Sequence, residues 1–347
     1  MRRRNLQLNP GHRTRPRLGW LLRVTRFLFL EPTVPPNPRP LQQLLLRLDT
    51  RLALEPDSAE STHLFVELAI RVHTRVMSGL YLGFKSFTLI ITSWRVQSRG
   101  VSTGLTNLVR LGVQGNQLSG EFPDLGQLSN LNALDASDNA ISGELPAMLP
   151  VSLVEMIMRN NQLEGNIPAS IGSMVNLQVM DLSHNKLSGS VPSYLFTHPS
   201  LEQLTLSYNQ FGSVQVPFNW AQQSPLIAVD LSNNQLQGLL PDFLGLMPKL
   251  SSLSLENNKF TGMIPTQYAI RAVLPGTGFS QFERLLLGGN YLFGPIPGPL
   301  MKVRDPGSVT VQLGRNCLYR CPLRLFFCEG GVQKSLVECK IFGPVVP

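Results

Sequence analysis

From Leu105 onward, apolar and polar residues alternate over short stretches, and each stretch closes on an Asn three residues after its second apolar member. Leu108, Leu111, Val113, Asn116 and Leu118 make the first such unit; Leu201, Leu204, Leu206, Asn209 and Phe211 make the fifth. A period of two is the signature of a strand with one face inward. A strand this short cannot bury its apolar side alone, so the pattern predicts units stacked on one another, each covering the next. The anchors are Asn116, Asn139, Asn161, Asn185, Asn209, Asn234, Asn258, Asn290 and Asn316, with gaps of 23, 22, 24, 24, 25, 24, 32 and 26 residues. They predict nine parallel strands between about residues 109 and 314 and an insertion within Thr266 to Glu283.

An Asn amide carries both a donor and an acceptor, so it can satisfy backbone groups where the chain bends after the strand. Behind it comes Gly-x-apolar-Pro: Gly120 to Pro123, Gly143 to Pro146, Gly165 to Pro168, Gly189 to Pro192, Gly238 to Pro241, Gly262 to Pro265 and Gly294 to Pro297. Glycine permits the turn and proline fixes an extended return. The fifth unit departs, with four residues between Gly212 and Pro217, which predicts a local bulge.

With these two motifs the sequence resembles the plant-type leucine-rich-repeat proteins, whose repeat reads LxxLxLxxNxLxGxIPxxLGxLxxL, over about residues 105–318. Within that family it is similar to the free-standing class without a kinase segment. Phe84, Lys85, Trp94, Gly100 and Val101 look like a remnant of the family's N-terminal cap, whose two usual cysteines are missing. The resemblance implies an α/β fold: a right-handed solenoid with a parallel β-sheet on the concave face and an irregular or 3₁₀ convex side.

Around the array, residues 1–56 form a basic, Pro-rich segment expected to be disordered. Residues 57–104 form a degenerate, helical N-terminal cap, with Leu64, Leu68, Val72 and Val76 on one helix face and Asp57 with Glu60 as a capping box. Residues 105–318 are the repeats and 319–347 a cysteine-containing C-terminal cap. Arg23 and Arg26 interrupt the apolar stretch from Leu18 to Leu30, so no signal-peptide core is expected there. The run Phe87 to Thr92 is far below the ~20 residues that cross a bilayer.

The formal charge of +8 suggests nucleic-acid binding until it is divided by region. Residues 1–103 hold 16 Lys or Arg against 6 acids, residues 104–300 hold 7 against 13, and residues 301–347 hold 7 against 3, for net charges of +10, −6 and +4. The repeats are therefore acidic and unsuited to phosphate, and no nucleic-acid partner is expected. Cys317, Cys321, Cys328 and Cys339 all follow the last anchor. Their C-x3-C-x6-C-x10-C spacing lacks the paired short knuckles of zinc sites and reads as a disulfide cap over the open end, with three connectivities possible. No metal or other cofactor is expected.

The five histidines show no metal-ligand spacing and no linked nucleophile, and Asp135 with Asp138 reads as solvated, so no catalytic residues are assigned and no enzymatic activity is expected. The informative surface is the exposed half of each strand, which alternation sends to the concave face. Most positions there follow the repeat consensus. Glu155, Ile157, Arg159, His184, Tyr208 and Glu256 depart from it toward large, charged or aromatic side chains near the middle of the array, where recognition anchors sit. These six are the candidate ligand-binding residues.

The resemblance implies a binding protein that takes a protein, peptide or glycan on its concave face, secreted or at the cell surface, in extracellular recognition or defence. The absence of any Asn-x-Ser/Thr acceptor favours the alternative, an intracellular scaffold organising a protein complex, cytoplasmic or cytoskeletal. Thiol state separates the two.

Overall fold

The computed structural model describes residues 86–88, 108–218, 223–273, 278–303, 309–319, 321, 325–328 and 333–340. The helix expected near residues 57–76 and the cap remnants Phe84, Lys85, Trp94, Gly100 and Val101 lie outside them.

The alternating stretches become the rungs of a parallel ladder: Arg110–Gly112, Ala133–Asp135, Glu155–Ile157, Val179–Asp181, Gln203–Thr205, Ala228–Asp230, Ser252–Ser254, Arg284–Leu286 and Thr310–Gln312. Each pairs with the next in sequence, without crossovers. A tenth strand, Ser86–Thr88, pairs with Arg110–Gly112 ahead of the first Asn anchor, where the sequence pattern gave no strand. Register is uniform: Leu134, Met156, Met180, Leu204, Val229, Leu253, Leu285 and Val311 align across the rungs and are buried. The next alternate column, Ala136, Met158, Leu182, Leu206, Leu231, Leu255, Leu287 and Leu313, is buried beside it. A three-residue rung cannot enclose these side chains by itself, so the core exists through stacking.

What fixes the stacking is the Asn amide. Asn209 Nδ2 donates to Leu206 O (3.1 Å) and Ser207 O (3.3 Å) in its own repeat and to Leu182 O (2.9 Å) in the one before. Its Oδ1 accepts from Leu187 N of that preceding repeat at 3.0 Å. Asn161, Asn185, Asn234, Asn258, Asn290 and Asn316 repeat this pattern, and all are buried. Asn139 does the same toward Leu118 and Val113, while Asn116 at the first rung holds Val113 O and Gln114 O. Asp would lose the donors and Gln would overreach, so the geometry selects Asn.

Past the anchor the return is more ordered than the sequence suggested. Short second strands line it: Ser119–Glu121, Ala140–Glu144, Gln162–Gly165 and Lys186–Leu187 form one sheet, and Gln237–Leu239 with Lys259–Thr261 and Phe293–Pro295 with Cys317–Tyr319 form two pairs. In the fifth repeat Ser213–Val214 pairs with Ser190–Val191, and Gly212 lacks the positive φ of Gly189 (76°). The irregular spacing thus shifts the ladder. Pro168, Pro192 and Pro241, all extended, lead into the 3₁₀ turns Ala169–Ser173, Ser193–Leu195 and Asp242–Leu246.

The insertion replaces such a turn with the helix Thr266–Val273. Tyr268 is fully buried, donates to Pro241 O at 2.9 Å and meets Phe282 edge-on. Arg271, 3% exposed, donates to the carbonyls of Leu244, Gly245, Met247, Leu250 and Ser280 and lies over the Phe282 ring at 4.3 Å. Burial lowers its guanidinium pKa to about 10, and the carbonyl fan stands where a counter-ion would otherwise be needed. At the other end Cys317 is bonded to Cys339 (Cα–Cα 5.8 Å) and Cys321 to Cys328 (5.6 Å). Leu313 N donates to Phe327 O, and Phe327 and Cys328 are buried against the last rung.

Two stability predictions follow from this bonding. Asn209→Ala strands Leu187 N and three carbonyls and should lower the unfolding free energy by about 3 kcal/mol or more in denaturant titration. Arg271→Met keeps the apolar stem but orphans the carbonyl fan and should cost about 2–4 kcal/mol by the same measurement.

Candidate functional site

The outward half of the ladder presents four aligned columns. The central one runs Asp135, Ile157, Asp181, Thr205, Asp230, Ser254, with each residue in register with its neighbours. Asp135 Oδ1 accepts from Ser137 N (3.0 Å) and Ser137 Oγ (2.6 Å), and Asp181 holds Ser183 identically. Asp230 Oδ1 accepts from Ser232 N at 2.9 Å. These clamps fix the carboxylate rotamers and leave each second oxygen outside them. The Asp135–Asp138 pairing considered from sequence resolves into separate contacts, since Asp138 accepts from Asn160 Nδ2 at 2.7 Å.

Of these six rungs, those of Ile157, Thr205 and Ser254 lack the clamp. Ile157 takes the aspartate's place between Asp135 and Asp181, and Arg159 takes the serine's. Arg159 is exposed, and its guanidinium makes no hydrogen bond or ion pair among the described residues. Glu155 lies on the same strand, in register with Ala133 and Val179.

The column just before the anchors carries the most unusual geometry. Asp138, Asn160, His184, Tyr208, Asn233, Asn257 and Arg315 all have φ between 53° and 57°, and Gly115 and Gly289 share the left-handed region. Gly, Asn, Asp and His tolerate this conformation; a bulky aromatic such as Tyr does so at a cost of about 1 kcal/mol. Nevertheless His184 and Tyr208 occupy it on adjacent rungs, stacked with ring centroids 4.1 Å apart and planes at 13°. Tyr208 is 50% exposed. On either side the column pairs by amides, Asn160 to Asp138 and Asn257 to Asn233 (3.0 Å).

The structure therefore gathers Glu155, Ile157, Arg159, His184 and Tyr208 on three consecutive rungs and leaves Glu256 apart, two rungs beyond Tyr208. Glu256 belongs to a second group with Asp230 and Arg284: burial and the Asp230 charge raise its carboxyl pKa, and Arg284 partly offsets this. Sequence reasoning passed over Arg284, because its departure falls in the repeat broken by the insertion. An open depression of 620 Å³ adjoins that insertion, lined by Ile227, Lys249, Ser251, Ser280, Gln281 and Glu283 among others. Of the two described histidines, His198 is buried on the convex return with its pKa lowered by burial and has no place in this surface. Among the described residues, no group of three His, Cys, Asp or Glu could hold a metal ion.

Comparison with known proteins identifies the repeats. The family models Leucine rich repeat and Leucine Rich Repeat match residues 151–211 and 225–247. The chain carries leucine-rich repeats, and the solved structures it resembles include plant receptor ectodomains. One is the LRR ectodomain of the membrane receptor kinase GASSHO1/SCHENGEN3 from Arabidopsis thaliana in complex with CASPARIAN STRIP INTEGRITY FACTOR 2: 27% identity, 71% of this chain and 28% of that one, TM-score 0.55. Another is the Arabidopsis receptor kinase HAESA LRR ectodomain in complex with an N-terminally extended IDA peptide hormone ligand: 30% identity, 67% and 41% coverage, TM-score 0.54. A third is a TDR receptor: 25% identity, 74% and 45% coverage, TM-score 0.57. The chain thus spans 28% to 45% of the length of these three. No curated protein matches it in sequence. Among the described residues, no helix is long and apolar enough to cross a membrane.

The double substitution His184→Asn with Tyr208→Asn recreates the amide pair seen at Asn233 and Asn257. Relief of the left-handed strain should offset the lost stack, which is worth about 0.5–1.5 kcal/mol. Unfolding free energy is expected to stay within about 1 kcal/mol of the parent; a larger loss would mean the aromatic pair is kept for the fold.

Proposed function

We propose that this leucine-rich-repeat chain is a non-catalytic binding protein that holds an extended peptide or protein segment on its concave face, at the surface made by Glu155, Ile157, Arg159, His184 and Tyr208. The observation that carries the reading is the stacked His184–Tyr208 pair. Its two rings occupy a backbone conformation that every other described rung gives to Gly, Asn, Asp or, at the last, Arg. Strain retained at an exposed position points to a use outside the fold. The neighbours complexed with CASPARIAN STRIP INTEGRITY FACTOR 2 and with the IDA peptide hormone support a peptide as the ligand class. Catalysis has no counterpart in the site: the central aspartates are clamped to serines rather than poised against a second acid or a nucleophile.

We place the protein outside the cytosol, secreted or at the cell surface. Two disulfides tie the C-terminal cap, a form of closure that persists in oxidising compartments.

The test uses the partner recovered from source extract on the immobilised chain. Arg159→Ala and Tyr208→Ala should each weaken its binding by about 1 kcal/mol or more, with thermal stability within about 0.5 kcal/mol of the parent. Variants that bind as tightly as the parent would move the site away from the concave face, and the depression beside the insertion would be examined next.

A further inference from the structure

We infer that the concave face reads a basic peptide in the polyproline II conformation, one cationic side chain at every third residue. This rests on the binding reading above and specifies its ligand.

The argument begins from a spacing. Asp135, Asp181 and Asp230 occupy the same column on alternate rungs, with Ile157 and Thr205 in register between them. Neighbouring strands lie about 4.8 Å apart, so the fixed carboxylates recur about every 9.6 Å along the ladder. That is too far for one cation to bridge. An extended β-type ligand crossing the rungs repeats its facing side chains about every 6.8 Å and falls out of step by the second carboxylate. A polyproline II helix has three residues per turn and a rise of about 3.1 Å, which brings residues i, i+3 and i+6 to one side about every 9.3 Å. The match holds over all three carboxylates, with a cumulative offset of about 0.6 Å.

The intervening positions agree with this register. Ile157 and Thr205 carry no charge and face the residues between successive cations. On the Ile157 rung, Arg159 repels a cation placed halfway between Asp135 and Asp181. Its free guanidinium can instead donate to ligand carbonyls, which have no partner within a polyproline II helix. Beside the column stand His184 and Tyr208, stacked on one another and both exposed. Aromatic surfaces take proline rings, and prolines between the cations hold the ligand in the required helix and lower its ordering cost on binding. The net charge of −6 over residues 104–300 gives the complementary field.

The experiment titrates the full chain with two synthetic peptides of equal composition, acetyl-Arg-Pro-Pro-Arg-Pro-Pro-Arg-Pro-Pro-amide and acetyl-Arg-Pro-Arg-Pro-Arg-Pro-Pro-Pro-Pro-amide, by calorimetry at about 50 and 300 mM salt. The third-residue peptide is expected to bind at least tenfold tighter, to weaken with salt, and to lose about tenfold on Asp181→Asn, which keeps the Ser183 clamp. Thr205→Arg, which sets a cation between two carboxylates without touching the core, should abolish the preference. Equal affinities for the two spacings, or binding unmoved by Asp181→Asn, would overturn the inference. If in that case the extract partner still depends on Arg159 and Tyr208, the concave reading stands and only the ligand class falls; if the partner ignores both residues, the reading itself fails.

Discussion

Everything in this array depends on one side-chain amide per repeat. From Asn139 onward, the Asn at each anchor donates within its own turn and across to the turn before, and accepts from that turn as well, so a single group closes the bend and sets the distance between neighbours. Leucine packing supplies most of the free energy, but it is non-directional and would tolerate slippage between rungs. The hydrogen bonds do not. Because the amide bonds equally well in each repeat, the register stays uniform from the second rung to the last, and the outward columns keep a constant spacing as a consequence.

Local rules made the array itself legible. Alternation, the Asn and Gly-x-apolar-Pro each act within one repeat, so reading one unit reads them all. The sequence was weaker where a contact joins residues distant from each other or where a local signal is faint. Ser86–Thr88 joins the ladder through backbone pairing with Arg110–Gly112, and neither its composition nor a following Asn marks it. The insertion could be located by counting, but not its anchoring, because Arg271 reads as a surface residue until its five carbonyl partners are assembled around it. On the concave face, consensus departures led to Glu155, Ile157, Arg159, His184 and Tyr208. They could not show that Glu256 sits with Asp230 and Arg284, since that grouping depends on side chains of the rungs on either side of it.

The concave surface divides labour between columns. Serine clamps hold the aspartates still, amide pairs flank the aromatic pair in the left-handed column, and the unclamped rung of Ile157 and Arg159 adjoins that of His184. A surface organised in this way can change its recognition residues without disturbing the core, because alternation keeps the buried leucines on the other side of the same strands. Stability and specificity are thereby assigned to different atoms of one short segment.

The disulfide between Cys317 and Cys339 joins the rim of the last repeat to the helix Leu336–Lys340. Under tension applied to the two ends of the chain, the 22-residue loop it closes cannot pay out, which withholds roughly 75 Å of contour. Tension from the C-terminal side therefore passes through the crosslink straight to Cys317, beside the anchor Asn316, and leaves the buried Phe327 and Cys328 out of the line of force.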